Sequence, residues 1–161
     1  CKSKELFEKL IKLNIMEQRD FTMLHISEIP FNMNLDVTNI NDDLKKRLSI
    51  AFLFVLQYQK GNEASALHAV VRLSLDGSII LNGGATFIFK SKTWDEMSHD
   101  DETVRKSDFA KKIIEYALPF INGIMFARVQ DTKLKGLFLP VIDASDLVEN
   151  IKVEEVPVKG V

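Results

Sequence analysis

The 161-residue chain carries 21 basic and 23 acidic residues, a formal net charge of −2. That length suits one domain with a real core, and the charge offers no basic footprint for nucleic acid. The single cysteine, Cys1, excludes an internal disulfide and a cysteine-built metal site.

Eleven Phe against one Trp and two Tyr favour apolar packing over polar recognition. No apolar run approaches the roughly eighteen residues needed to span a bilayer, and no N-x-[ST] sequon occurs. The chain opens on Cys1 rather than Met. A start just before the domain is expected over a lipid-modified cysteine, and a cytoplasmic location over a lipid anchor.

Residues 3–16 mix two periods: Leu6, Phe7, Leu10 and Ile11 fit helical turns, whereas Leu13 and Ile15 alternate as a strand would. A short N-terminal helix leading into one long, bent or bulged strand through residues 21–27 accommodates both. Residues 28–47 read as a long connection. Pro30 interrupts the ladder there, and Phe31, Met33 and Leu35 form one greasy edge between Asn32 and Asn34. A loop of that length in a small domain is usually functional or disordered.

Residues 48–58, LSIAFLFVLQY, form the strongest strand signal. Both faces are apolar, which predicts a central strand covered on both sides. Residues 66–75 alternate around Leu67, Ala69, Val71, Leu73 and Leu75, and Asp76-Gly77 signals a two-residue hairpin of type I′. Residues 78–81 continue, Asn82-Gly83-Gly84 reads as a break, and residues 85–91 resume with Phe87 and Phe89 on one face. An antiparallel meander is expected. Residues 92–106 read as a charged linker anchored by Trp94.

The organising element begins at Ser107. Phe109, Ile113, Tyr116, Ala117, Phe120, Ile121, Ile124 and Met125 recur at three- and four-residue steps, an amphipathic helix. Past Pro119 the apolar residues spread around most of the circumference, through Phe126 and Val129. Such a helix needs cover on more than one side, so its outer side is expected to meet another subunit or a bound polypeptide. Beyond a loop at Asp131–Gly136 and the segment Leu137 to Ile142, Asp143 or Asp146 can cap a short last helix. One domain over residues 1–161 is expected, with a core of about 8–152 and a frayed tail at 153–161.

No catalytic constellation emerges, and an enzyme is not expected. The run His99-Asp100-Asp101-Glu102 reads as a solvated linker and helix start rather than a metal cluster. Asn82-Gly83-Gly84 lacks the Lys and Ser/Thr of a phosphate loop. No cofactor or metal is implied. What remains is excess apolar surface rich in Met and Phe, suited to varied apolar partners.

Two motifs resemble the SecB family of export chaperones. Ala117-Leu118-Pro119-Phe120 is similar to the family's aliphatic-Phe-Pro-Tyr/Phe pattern inside its main helix, and Leu137-Phe138-Leu139-Pro140-Val141-Ile142-Asp143 is similar to the segment that follows it. The order of strand, crossover loop, meander, long helix and short helix resembles the family as well. The sequence departs from it at Asn122-Gly123, where the family carries an Arg-Glu pair, and at Arg72, on a strand where an acidic contact with the motor SecA would be expected.

The resemblance implies an α+β fold: a four-stranded antiparallel sheet with a long crossover loop, and a long helix and short C-terminal helix on one face. It implies a homo-oligomer, dimer or tetramer, that holds unfolded or precursor polypeptides in apolar grooves without ATP. SecA becomes a possible partner, with Arg72 and the near-neutral charge against it. Groove or interface residues are then expected at Phe31, Met33, Leu35, Phe120, Ile121, Ile124, Met125, Phe126, Val129, Leu137 and Phe138. The competing readings are an adaptor dedicated to one partner, such as a toxin–antitoxin or mobile-element protein, and a small ligand-binding domain.

Overall fold

Apolar alternation between Leu48 and Lys90 builds the centre of the molecule. The computed structural model describes residues 2–17, 20–34, 46–132, 134–135, 140 and 142–158, without the side chains of residues 10–17. In chain order the elements are α1 (Lys2–Glu17), β1 (Thr22–Met33), β2 (Leu48–Tyr58), β3 (Ala64–Leu75) and β4 (Ser78–Lys90). There follow α2 (Lys92–Glu96), α3 (Asp101–Arg105), α4 (Asp108–Val129), α5 (Ala144–Leu147), a 3-10 turn at Val148–Asn150, and β5 (Ile151–Glu155).

The strands form one sheet in the order β1-β4-β3-β2-β5. The first four pair antiparallel and β5 lies parallel to β2. The architecture is α+β as expected, but the sheet is five-stranded and mixed rather than four-stranded and antiparallel. The added strand starts at the end of the segment read as the last helix and runs into the tail expected to fray from residue 153. Phe54 pairs with Ile151 and Tyr58 with Glu155. α3 clamps the new edge: the Arg105 Nε–H donates to the Ile151 carbonyl and the Val153 N–H donates to the Asp101 carboxylate, each at 2.8 Å.

Three further expectations change. α1 is a full 16-residue helix, and β1 runs through Pro30 to Met33 instead of breaking there. Pro30 is tolerated because β1 is an edge strand and because its register with β4 slips between Ile29 and Asn32. The charged linker contains two capped helical turns. The Ser91 hydroxyl accepts from the Trp94 N–H and the Asp100 carboxylate from the Thr103 N–H.

Asn82-Gly83-Gly84 is no break but the middle of β4. Gly84 sits at φ +147, and a Cβ there would meet the Ala69 carbonyl oxygen at 1.9 Å. Only glycine lets β3 and β4 approach so closely. The Asp76-Gly77 hairpin forms as read, with φ 50 and 84 at its two residues.

One face of the sheet (Phe52, Phe54, Leu56, Leu67, Ala69, Val71, Leu73, Phe87 and Phe89) is buried against Phe109, Ile113, Ala117, Ile121 and Met125 of α4. Trp94 fills one end, its Nε1–H donating to Ser65 Oγ at 3.0 Å and its ring stacked on His99. The opposite face was expected to be covered too. Among the described residues Leu53, Val55, Val70 and Ile88 there are only half-buried. His68 crosses this face, bonded to Thr86 Oγ1 at 2.8 Å and Gln57 Oε1 at 2.7 Å. Burial holds its imidazole below the ordinary value, with the Glu154 charge pulling the other way.

Candidate functional site

α4 carries a buried stripe and an exposed one. Ser107 caps it, its hydroxyl accepting from the Ala110 N–H at 3.2 Å. Its inward stripe is core: Ile121, Met125 and Val129 are fully buried against the chain's own sheet. Its outward strip is not. Phe120 and Phe126 remain 42% and 44% exposed, with Gly123 between them leaving open space where a side chain would project.

On the β1 side an aromatic row fills the seam between helix and edge strand. Phe21 packs edge-on against Phe109 and Tyr116, and Phe120 meets Tyr116 and Phe87 at centroid distances of 5.3 and 6.0 Å. Farther along, Met125 and Phe31 meet over Gly83, where a Cβ would lie 2.8 Å from the Met125 sulfur and 3.3 Å from the Phe31 ring. The bare glycine is the floor of that seam. A pair of hydrogen bonds between Glu28 and Arg128 closes its end, and the guanidinium holds the Glu28 carboxyl below its usual range.

On the other side, facing α5, lies a cavity of about 350 Å³ lined by Glu115, Leu118, Pro119, Asn122, Pro140, Ile142, Asp143 and Ala144. Pro119 of α4 is part of its wall. Asp143 caps α5, accepting from the Ser145 N–H at 3.0 Å, and that bond holds its carboxyl below the ordinary value.

The residues expected from the sequence thus divide. Phe31 and Met33 are half-buried on the helix side of β1, Ile124 is half-buried on α4, Phe120 is partly exposed at the edge of the seam, and Phe126 is exposed on the outer side of α4. Ile121, Met125 and Val129 point inward. Leu35, Leu137 and Phe138 lie outside the described residues. Phe21 and Tyr116, read only as strand and helix-stripe residues, join the seam, and neither the Glu28–Arg128 closure nor the cavity around Asn122 was expected. A Pro inside a helix with a polar residue one turn on was the signal for the last of these. Among the described residues no group of His, Cys, Asp and Glu is placed to hold a metal, and no helix is long and apolar enough to cross a membrane.

No protein-family model and no curated protein sequence matches the chain. Solved structures do match. The SecB-like chaperone Rv1957 of Mycobacterium tuberculosis, solved in complex with a ChAD peptide from the HigA1 antitoxin, superposes with a TM-score of 0.52. The match covers 80% of this chain and 99% of that one at 10% identity. The fold is similar to that of a SecB-like chaperone. A protein of unknown function from Streptococcus agalactiae also matches, with a TM-score of 0.36 and 10% identity over 74% of this chain and 99% of that one.

Proposed function

We propose that this chain is an ATP-independent, SecB-like holdase that binds extended polypeptide along the outward strip of α4 and the seam beside β1. One observation carries the reading. A helix whose inner stripe is already satisfied by its own sheet still presents Phe120 and Phe126 to solvent, in a fold similar to that of a chaperone solved with a bound peptide. Exposed aromatic groups flanking an open glycine suit a partner that brings varied apolar side chains. Phe31, Met33, Ile124, Phe120 and Phe126 are the contact residues of this proposal, and the same strip serves self-association into a dimer or tetramer.

SecA docking gains little support. The uncovered sheet face carries Arg72 and Lys152 beside Glu154 and a half-buried apolar centre, which is not an acidic surface. The second reading, an adaptor for one partner, is favoured by the antitoxin peptide held by the similar structure.

One experiment separates the two. A denatured model substrate is diluted into buffer with and without the protein, and light scattering and oligomeric mass are followed together. Suppressed aggregation of several unrelated substrates without nucleotide supports the holdase. Failure on all of them, with one stoichiometric partner recovered from cells, replaces it with the adaptor.

A further inference from the structure

α1 stands without cover. The side chains described along it, from Lys2 to Lys9, are all exposed, Leu6 by 61% and Phe7 by 64%. A 16-residue helix alone in water is only marginally stable, so α1 needs an apolar surface to pack on. Its far end is fixed close to α4. Asp20, three residues after Glu17, pairs with Lys112 of α4, and its carbonyl accepts from the Ser91 hydroxyl. Phe21 packs edge-on against Phe109 and Tyr116, and Tyr116 lies 5.3 Å from Phe120 between ring centroids. Four residues take the chain from Glu17 to Phe21, a reach of at most about 14 Å.

β1 runs from the Asp20–Lys112 pair to the Glu28–Arg128 pair, in the direction of α4. A helix turned back ahead of β1 therefore lies antiparallel to α4. At about 1.5 Å per residue, Phe7 is about 15 Å from Glu17, and Phe126 about 15 Å from Tyr116. With its C-terminal end at Tyr116, α1 brings Leu6 and Phe7 to Phe126. The half-buried face of the sheet is the rival surface, but it lies on the other side of the sheet from the Asp20 and Phe21 anchors. We propose that α1 is a tethered lid that folds back onto the outward strip of α4 and covers, with Leu6 and Phe7, the surface a bound polypeptide would use. The proposal rests on the polypeptide-binding reading above, and the structure shows the lid open. A short tether gives α1 a high effective concentration at the strip, and client affinity falls with the fraction of chains whose strip is covered.

Two measurements test the lid. Fluorescence anisotropy of a labelled apolar peptide compares the unaltered chain with Leu6→Ser/Phe7→Ser, which changes only exposed side chains. The variant should bind the peptide about threefold or more tighter. Equal affinities overturn the lid while leaving polypeptide binding intact. The second measurement reads the contact without a client, using Phe7→Cys with Phe126→Cys in a Cys1→Ser background. Oxidation with diamide should close a disulfide within one chain, because the docked helix brings the two Cα atoms within about 7 Å. Failure to bridge, or a bridge only between two chains, overturns the lid. If the peptide binds neither the unaltered chain nor the Ser variant, the polypeptide-binding reading fails and the lid with it.

Discussion

Two variants of α4, one outward and one inward, should have crossed effects. Phe120 and Phe126 are 42% and 44% exposed, so folding has collected a little over half of their transfer free energy. Full burial of a Phe is worth about 1.5–3 kcal/mol, which leaves about 0.6–1.3 kcal/mol per ring for a partner. For Phe120→Ser with Phe126→Ser the loss is about 1.2–2.6 kcal/mol, or roughly seven- to seventyfold in client affinity at about 1.4 kcal/mol per decade. Met125, only 3% exposed, has nothing left to offer a client. Met125→Ala should cost about 2–5 kcal/mol of folding stability, about 2–4 °C in Tm per kcal/mol at this size, with client affinity unchanged well below the transition. Anisotropy titration at about 25 °C and thermal unfolding read the two effects on the same samples. A folded double Ser variant with full affinity would refute the reasoning. So would Met125→Ala weakening binding without lowering Tm.

Other outcomes follow from the sheet. Ile151→Ala should destabilise by about 2–5 kcal/mol in denaturant unfolding, because Ile151 is fully buried; an unchanged midpoint would contradict the docking of β5 on β2. Gly84→Ala should destabilise by well over about 1 kcal/mol, since its Cβ meets the Ala69 carbonyl oxygen, and an unchanged unfolding midpoint would contradict the β3–β4 approach. His68 resists protonation when folded, so below about pH 6.5 the unfolded chain binds the extra proton and stability falls with pH toward the lowered folded value. The drop in Tm between about pH 7.5 and about pH 5.5 should shrink in His68→Gln; an equal drop would place the titrating group elsewhere.

The elements legible in the sequence are those whose signal is local. β2 and β3 announce themselves by alternation, the hairpin by Asp76-Gly77, and α4 by its stripe and the Ser107 cap. What escaped depends on distant partners. Gly83 and Gly84 look like a break until Met125, Phe31 and the Ala69 carbonyl are seen to occupy the space their side chains would take. β5 is short and charged, and becomes a strand through the edge of β2 nearly a hundred residues away. The caps Ser91 and Asp100 were readable, but the helical turns they start are too short for a periodic pattern. At the candidate site the stripe announces α4 without its orientation. A segment apolar all round does not say which residues face the sheet, and Ile121, Met125 and Val129 do.

The parallel strand at 151–155 also orders events during synthesis. Chains emerge N-terminus first and tend to fold as they do, so β2, β3 and β4 can pair while β2 keeps one open edge. That edge is a template for stray strands, and its cover is the last strand of the sheet to leave the ribosome. Until then Asp101 and Arg105 hold the clamp without the strand it receives. The molecule proposed here to shelter unfinished chains passes through an interval when its own sheet is unfinished in the same way.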